Sequence, residues 1–158
     1  MSNSAFLVSA RAASPIGELT LIASALGLRA IAFGTKDAHL PSSQGLRVHS
    51  AARVSDLEAA DPHLQHLDAT RKQLREYFGG RRRSFALNLD LTATHPEDRS
   101  VGSPFQRRVW LALQQIPYGQ TSSYGDIAQA VSSPRAARAV GTACAKNPLP
   151  IVLPCHRV

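Results

Sequence analysis

The N-terminal part of the chain alternates short apolar runs with turn-forming residues. Phe6 to Val8, Leu19 to Ala23 and Leu28 to Phe33 are apolar. Ser14-Pro15-Ile16-Gly17 separates the first two runs and Gly27 the last two, and proline and glycine are the strongest local punctuators of structure. This spacing predicts antiparallel strands joined by tight turns. Lys36 to Ala52 is polar and mixed and reads as loop. From Leu57 to Phe78 the residues Leu64, Leu67, Leu74, Tyr77 and Phe78 recur at helical spacing, which predicts a helix with one buried face. Gly79-Gly80 ends it. Phe85 to Leu91 alternates apolar and polar residues and predicts a further strand. Residues 93–104, rich in charge and punctuated by proline and glycine, read as a linker between an N-terminal α+β unit (1–92) and a helical C-terminal unit (105–158).

In the second unit Pro104 is placed to open a helix from Phe105 to about Gln115, with Val109, Trp110, Leu113 and Ile116 inward. Pro117-Tyr118-Gly119 breaks it. Ser123-Tyr124-Gly125-Asp126 has the form of a capping box, with Ser123 at the cap and Asp126 reaching back, followed by a short helix to Val131. Ser133 is placed to cap a third helix, with Pro134 at its first position and its body from Arg135 to about Lys146. Two short helices joined by a tight turn suggest a helix-turn-helix; an ordinary helical hairpin satisfies the same pattern. The last helix carries Ala136, Ala137, Ala139, Gly141 and Ala143, so its backbone could approach another surface closely. Base-edge readers in the major groove use Asn, Gln or several long polar side chains. Here only arginines stand out, which points to sequence-independent contact in a minor groove, with Arg138 central. The plainer alternative puts Ala139, Val140 and Ala143 in the core and Arg138 against phosphate.

Composition sharpens this picture. A chain of 158 residues, 44% hydrophobic and 18% charged, can build a real core in one domain or two small ones and is not of the disordered class. The net charge of +7 fits a solvated surface or a polyanionic partner, most often nucleic acid. Positive charge gathers at Arg71, Lys72, Arg75 and Arg81 to Arg83, and again at Arg107, Arg108, Arg135, Arg138, Lys146 and Arg157. The two cysteines, Cys144 and Cys155, make neither a disulfide framework nor a multi-cysteine zinc module. Free thiols without a signal peptide or long apolar run lead to the expectation of a cytoplasmic protein with no membrane association. His63 and His66 could share a metal, but no further ligand stands near them. They read as surface histidines, and no metal or cofactor is expected.

The chemistry concentrates in Pro154-Cys155-His156-Arg157-Val158, which follows the apolar run Ile151-Val152-Leu153. A thiol flanked by proline and an imidazole is a candidate nucleophile. An ordinary cysteine thiol, with a pKa of about 8.5, is only a few per cent ionised at neutral pH, so His156 is expected to act as its base. Neighbouring side chains on an extended chain point to opposite faces, which predicts a bridging water rather than direct contact.

Several ordered motifs together resemble the O6-alkylguanine-DNA alkyltransferases. They are Ser14-Pro15-Ile16-Gly17-Glu18-Leu19-Thr20-Leu21, Tyr77-Phe78-Gly79-Gly80, Phe105-Gln106-Arg107-Arg108-Val109-Trp110, Ile116 to Gly119, Ser123-Tyr124-Gly125, Arg135 to Gly141, Asn147-Pro148 and Pro154 to Val158. The resemblance implies an α+β protein with a ribonuclease H-like N-terminal domain and a C-terminal helix-turn-helix domain. It implies DNA repair by single-turnover transfer of an alkyl group from O6-alkylguanine, or O4-alkylthymine, in double-stranded DNA. It further implies minor-groove binding and base flipping, which exposes an otherwise buried oxygen. Cys155 then matches the alkyl acceptor, His156 its water-linked base, Asn147 the residue bracing the site, and Tyr124 the tyrosine that assists flipping and donates a hydrogen bond to guanine. Arg138 matches the arginine that fills the vacated stack, with Ser123, Arg135, Ala137, Ala139 and Gly141 forming the surrounding DNA-binding surface. No cofactor is implied, and a monomer is the default. Two departures stand out. Residues 95–104 are longer and more charged than the family's usual link into Phe-Gln. The family also continues past Cys-His-Arg-Val with a glycine-rich pocket loop and a helix that brings a glutamate to the histidine. The expectation is therefore that a form ending at Val158 is poorly stable and impaired in transfer. The alternatives are an inactive form, or a DNA-binding sensor of alkylated bases without transfer; the presence of Cys155 argues against the sensor.

Overall fold

The computed structural model describes residues 6–34, 47–50, 60–92 and 101–158. β1 (Phe6–Ser14), β2 (Gly17–Ser24) and β3 (Gly27–Phe33) follow one another as antiparallel neighbours, as the apolar runs predict. At the first turn Gly17 has φ +106°, a conformation that glycine adopts without strain, while Ser14 Oγ donates to Gly17 O at 2.6 Å. β4 (Arg47–Ser50) pairs parallel to β1 and completes the sheet order β3-β2-β1-β4. This strand lies inside the segment read as loop. It is four residues of mixed polarity at a sheet edge, and its pairing comes from β1 rather than from its own pattern.

The strand expected at Phe85 to Leu91 is not one. Leu28 N donates to Asn88 O and Asp90 N to Leu28 O, so the segment docks on β3 through a single parallel bridge between Leu28 and Leu89. Gly27 permits this approach: a Cβ there would lie 2.5 Å from the Asn88 carbonyl oxygen.

α1 (Pro62–Phe78) packs against β1, β2 and β3. It starts at Pro62, capped by Asp61, whose side chain accepts from His63 N; residues 57–59 lie outside the described set. Its buried face is His63, Leu67, Thr70 and Leu74, with Leu64 only half-buried. The expectation of a surface His63 is thus corrected. Its ring stacks on Phe6 at 4.5 Å, and its two nitrogens meet Asp61 Oδ1 at 2.8 Å and Phe6 O at 3.3 Å. Those partners make burial of the ring tolerable.

The same unit holds a buried ion pair. Arg29 Nη1 donates to Asp90 Oδ2 at 2.9 Å, and both side chains are almost fully buried. Ser24 Oγ and the Thr92 backbone and hydroxyl also donate to Asp90. Burial raises the carboxyl pKa. The hydrogen bonds from Ser24 and Thr92, then the Arg29 charge, outweigh it and hold Asp90 below the usual carboxylate range.

The second compact unit spans Val101–Val158. It packs α2 (Pro104–Leu113), α3 (Tyr124–Ala130) and α4 (Ala137–Ala145) against one another. Val109, Trp110, Leu113 and Ile116 are buried, and Trp110 Nε1 donates to Ala143 O at 2.8 Å. α2 starts with a capping box between Ser103 and Gln106, and α3 with one between Ser123 and Asp126. α4 begins later than expected. Ser133 does not cap it, because Ala136 N bonds Ser133 O across a turn at Pro134-Arg135, and Ser133 Oγ instead meets Val131 O. Ala136 is the cap residue and gives no side-chain bond. No helix among the described residues is long and apolar enough to cross a membrane.

The Asp90 network fixes one acid response. Because the folded pKa lies below the unfolded value of about 3.9, its stabilisation is complete above that pH and is lost as pH falls through the folded value. Asp90→Ala removes the carboxylate facing Arg29 and is expected to destabilise the fold by about 3 kcal/mol or more at neutral pH. Its acid slope below about pH 4 should be shallower than the parent's. Urea unfolding followed by circular dichroism across pH checks both, and equal slopes would contradict the assignment.

Candidate functional site

The segment after α4 is a hydrogen-bonded turn. Asn147 N donates to Cys144 O at 3.2 Å. The Asn147 side chain then bridges the turn: Oδ1 accepts from Leu149 N at 3.0 Å, and Nδ2 donates to Leu153 O at 2.7 Å. Leu153 N closes back on Leu149 O, and Cys155 N donates to Leu153 O, both at 2.8 Å. Leu149, Ile151, Val152 and Leu153 are buried, so the apolar run before the thiol anchors the turn in the core. Ile151 sits at φ +76°, a left-handed conformation unusual for a β-branched residue. The turn holds it there against a local cost of roughly 1–2 kcal/mol.

Cys155, His156 and Arg157 form a single 3-10 turn, which replaces the extended geometry expected of them. At about three residues per turn, neighbouring side chains diverge by roughly 120° rather than pointing to opposite faces. Cys155 is half-buried and His156 exposed. No hydrogen bond joins the thiol to the imidazole among the described residues. Partial desolvation, and secondly the Arg157 cation beside it, hold His156 below the ordinary histidine range. The imidazole is therefore neutral, and free to accept a proton, over more of the pH scale.

Cys144 is half-buried at the last turn of α4. Burial pushes its thiol pKa up, with a smaller contribution from Cys155 nearby. Its proximity to Cys155 has no local sequence signal, because the Asn147 turn creates it. Arg157 was likewise passed over. Its Nη1 donates to Ile116 O at 2.9 Å, its guanidinium lies over the Tyr118 ring at 5.4 Å, and its carbonyl accepts from Ser122 N at 2.8 Å.

The expected DNA-contact residues fall on α3, α4 and the turn between them. Ser123 caps α3, and its hydrogen bonds to Asp126 hold that carboxyl below its usual range. Tyr124, the first residue of α3, is 44% exposed, and its ring packs against Gly141 of α4, where a Cβ would meet it at 3.5 Å. Arg135, Arg138 and Ala139 are exposed, Ala137 and Gly141 half-buried, and Val140 and Ala143 fully buried. Arg135 stands on the turn before α4 rather than in the helix. Among the described residues no three His, Cys, Asp or Glu side chains gather in a way that could hold a metal.

Comparison with known proteins agrees with this arrangement. Residues 7–91 match the family model "6-O-methylguanine DNA methyltransferase, ribonuclease-like domain", and residues 104–158 the model "6-O-methylguanine DNA methyltransferase, DNA binding domain". The methylated-DNA–protein-cysteine methyltransferase of Methanosarcina acetivorans is 37% identical over 92% of this chain and 78% of its own length. The constitutive enzyme of Bacillus subtilis is 50% identical over 59% of this chain. The aligned region spans about half the length of that protein (51%) and of its Mycolicibacterium paratuberculosis counterpart (47%). Among solved structures, Mycobacterium tuberculosis O6-methylguanine methyltransferase superposes with a TM-score of 0.73 at 35% identity, covering 97% of this chain and 78% of that one. Mycobacterium tuberculosis OGT in complex with DNA gives 0.69 at 34% identity, over 97% and 77%. Matched by family models in both units, and by a relative along nearly its whole length, the chain belongs to the 6-O-methylguanine DNA methyltransferase family.

Proposed function

We propose that this chain repairs DNA by direct transfer of an alkyl group from O6-alkylguanine, or O4-alkylthymine, in duplex DNA to the Cys155 sulfur. The observation that carries the reading is Cys155 itself: a free, half-exposed thiol on a hydrogen-bonded turn, within the unit that matches the family's DNA-binding domain. The relative crystallised with DNA supports a nucleic-acid partner, and the net charge of +7 suits one. The free thiols fit a reducing, cytoplasmic setting, and a monomer suffices for the chemistry.

In this mechanism His156 takes the thiol proton through a bridging water. The thiolate attacks the O6-alkyl carbon in line, the C–S bond forms as the C–O6 bond breaks, and guanine leaves as an anion. A donor to the guanine ring stabilises that anion, and the exposed Tyr124 at the start of α3 is the candidate. Asn147 braces the acceptor turn. Arg138, exposed on α4, fills the space left by the flipped base, with Ser123, Arg135, Ala137, Ala139 and Gly141 around it. The guanine anion is reprotonated, and the thioether formed is not reversed by the same groups, because a neutral guanine oxygen is a weak nucleophile and an unactivated thioether gives up its thiolate poorly. Each molecule acts once.

Incubation with a duplex containing O6-methylguanine should add one methylene to the mass of the protein, stoichiometrically and only once. Cys155→Ser should gain none. Binding of the alkylated duplex without any gain in mass would replace transfer by sensing, and a gain retained in Cys155→Ser would move the acceptor elsewhere.

Arg138 is read through a comparison of substrates. Flipping a base costs a few kcal/mol, so Arg138→Ala is expected to slow transfer from duplex DNA by about tenfold or more. Transfer from free O6-benzylguanine, which needs no flipping, should be unchanged. Equal slowing on both substrates, measured by single-turnover labelling, would remove Arg138 from the DNA step.

A further inference from the structure

We infer that Arg157 is a positioning residue for the transfer proposed above, clasping the turn that carries Cys155 and His156 to the segment that leads from α2 into α3. The inference rests on that reading of Cys155 and goes beyond it, because it assigns a role to a side chain that would not touch the alkyl group.

A 3-10 turn of three residues has little stability of its own. Its orientation is set by whatever holds its two ends. The leading end is held at Leu153, whose carbonyl accepts both Asn147 Nδ2 and Cys155 N. Arg157 holds the trailing end, and it does so with its backbone and its side chain at once. Its N–H donates to Pro154 O at 3.0 Å and closes the turn. Its carbonyl accepts Ser122 N at 2.8 Å, one residue before Ser123, the cap of α3. Its Nη1 donates to Ile116 O at 2.9 Å, just past the end of α2, and the guanidinium carbon lies over the Tyr118 ring, 5.4 Å from its centroid. Three points on the Ile116–Ser122 segment are thus gripped by one residue.

The segment it grips runs on through Ser123, the cap of α3, to Tyr124, the candidate donor to the leaving guanine. Arg157 therefore connects the acceptor sulfur and that donor through short, hydrogen-bonded links. An arginine suits the task because its planar fork can donate to a carbonyl while its face lies on an aromatic ring. A lysine offers a point charge and no plane.

Arg157 also acts on its neighbour by charge. It is the charged group that bears on His156, no carboxylate pairs with that imidazole among the described residues, and the cation disfavours the imidazolium. Neutralising Arg157 should let His156 take up a proton at higher pH, which narrows the range over which it can serve as base. A side chain that only supported the fold would not move that titration.

The test compares Arg157→Met, which keeps bulk but loses the charge and the donors, with Arg157→Lys, which keeps the charge. Transfer from O6-benzylguanine to Cys155 is followed by intact mass against pH, His156 is titrated by NMR, and thermal unfolding confirms that each variant is folded at the assay temperature. Arg157→Met is expected to transfer roughly ten- to a hundredfold more slowly, the scale for a small misplacement of reacting groups. The acid limb of its pH profile and its His156 titration should both move to higher pH. Arg157→Lys should keep the parent titration and recover part of the rate. A parent chain that takes no benzyl group overturns the transfer reading and this inference with it. A parent that transfers while Arg157→Met does so at the same rate overturns the inference alone. So do equal losses in both variants with an unmoved His156 titration.

Discussion

The C-terminal site depends on one side chain spanning one turn. Asn147 satisfies Leu149 N and Leu153 O with the two ends of its amide, so the chain reverses between them and brings the Pro154–Val158 segment back beside the end of α4. Both partners are buried in an apolar turn, and an unmet polar group there would cost about 1–3 kcal/mol. Ile151 shows how firmly the reversal is imposed, since a β-branched residue is held at φ +76°. The Leu153 carbonyl then accepts the Cys155 N–H as well. A single atom therefore links the bracing amide to the backbone of the thiol residue.

Electrostatics around the thiol are modest by comparison. His156 is held below the usual range by partial desolvation and by Arg157, and Cys144 above it by burial and by Cys155. Both shifts favour neutral forms around Cys155. A neutral imidazole can accept a proton. On the proposed reading, reactivity would follow from placement and from the choice of a soft nucleophile, which suits displacement at an alkyl carbon better than an ionised oxygen would.

Local chemistry explains which features were legible in the sequence. Ser103–Gln106 and Ser123–Asp126 are read directly, because a capping box is satisfied within four residues. The three antiparallel strands are read from apolar runs and from the turns at Gly17 and Gly27. What escaped was decided at long range. β4 takes its pairing from β1. Residues 85–91 have the alternation of a strand, yet meet β3 at one bridge only. His63 has a polar identity but is buried by Phe6 and Asp61. At the site, Cys155 and His156 were conspicuous as residues, whereas the 3-10 geometry that separates them and the grip of Arg157 on Ile116 O and Ser122 N are tertiary facts that no local pattern encodes.

α4 then carries two demands on one short helix. Its inner side, Val140 and Ala143, packs in the core, where Trp110 Nε1 bonds the Ala143 carbonyl. Its outer side presents Arg138 and Ala139 to solvent, and its last turn hands over to the Asn147 clamp through Cys144 O. Small residues reconcile these demands. They let Tyr124 lie against Gly141. Arg138 stands in the first turn of α4, and the helix passes at its end into the Asn147 turn, so on the proposed reading the geometry of transfer would come from one helix and one hydrogen-bonded turn together. The proposed reaction at a flipped base would require such precision.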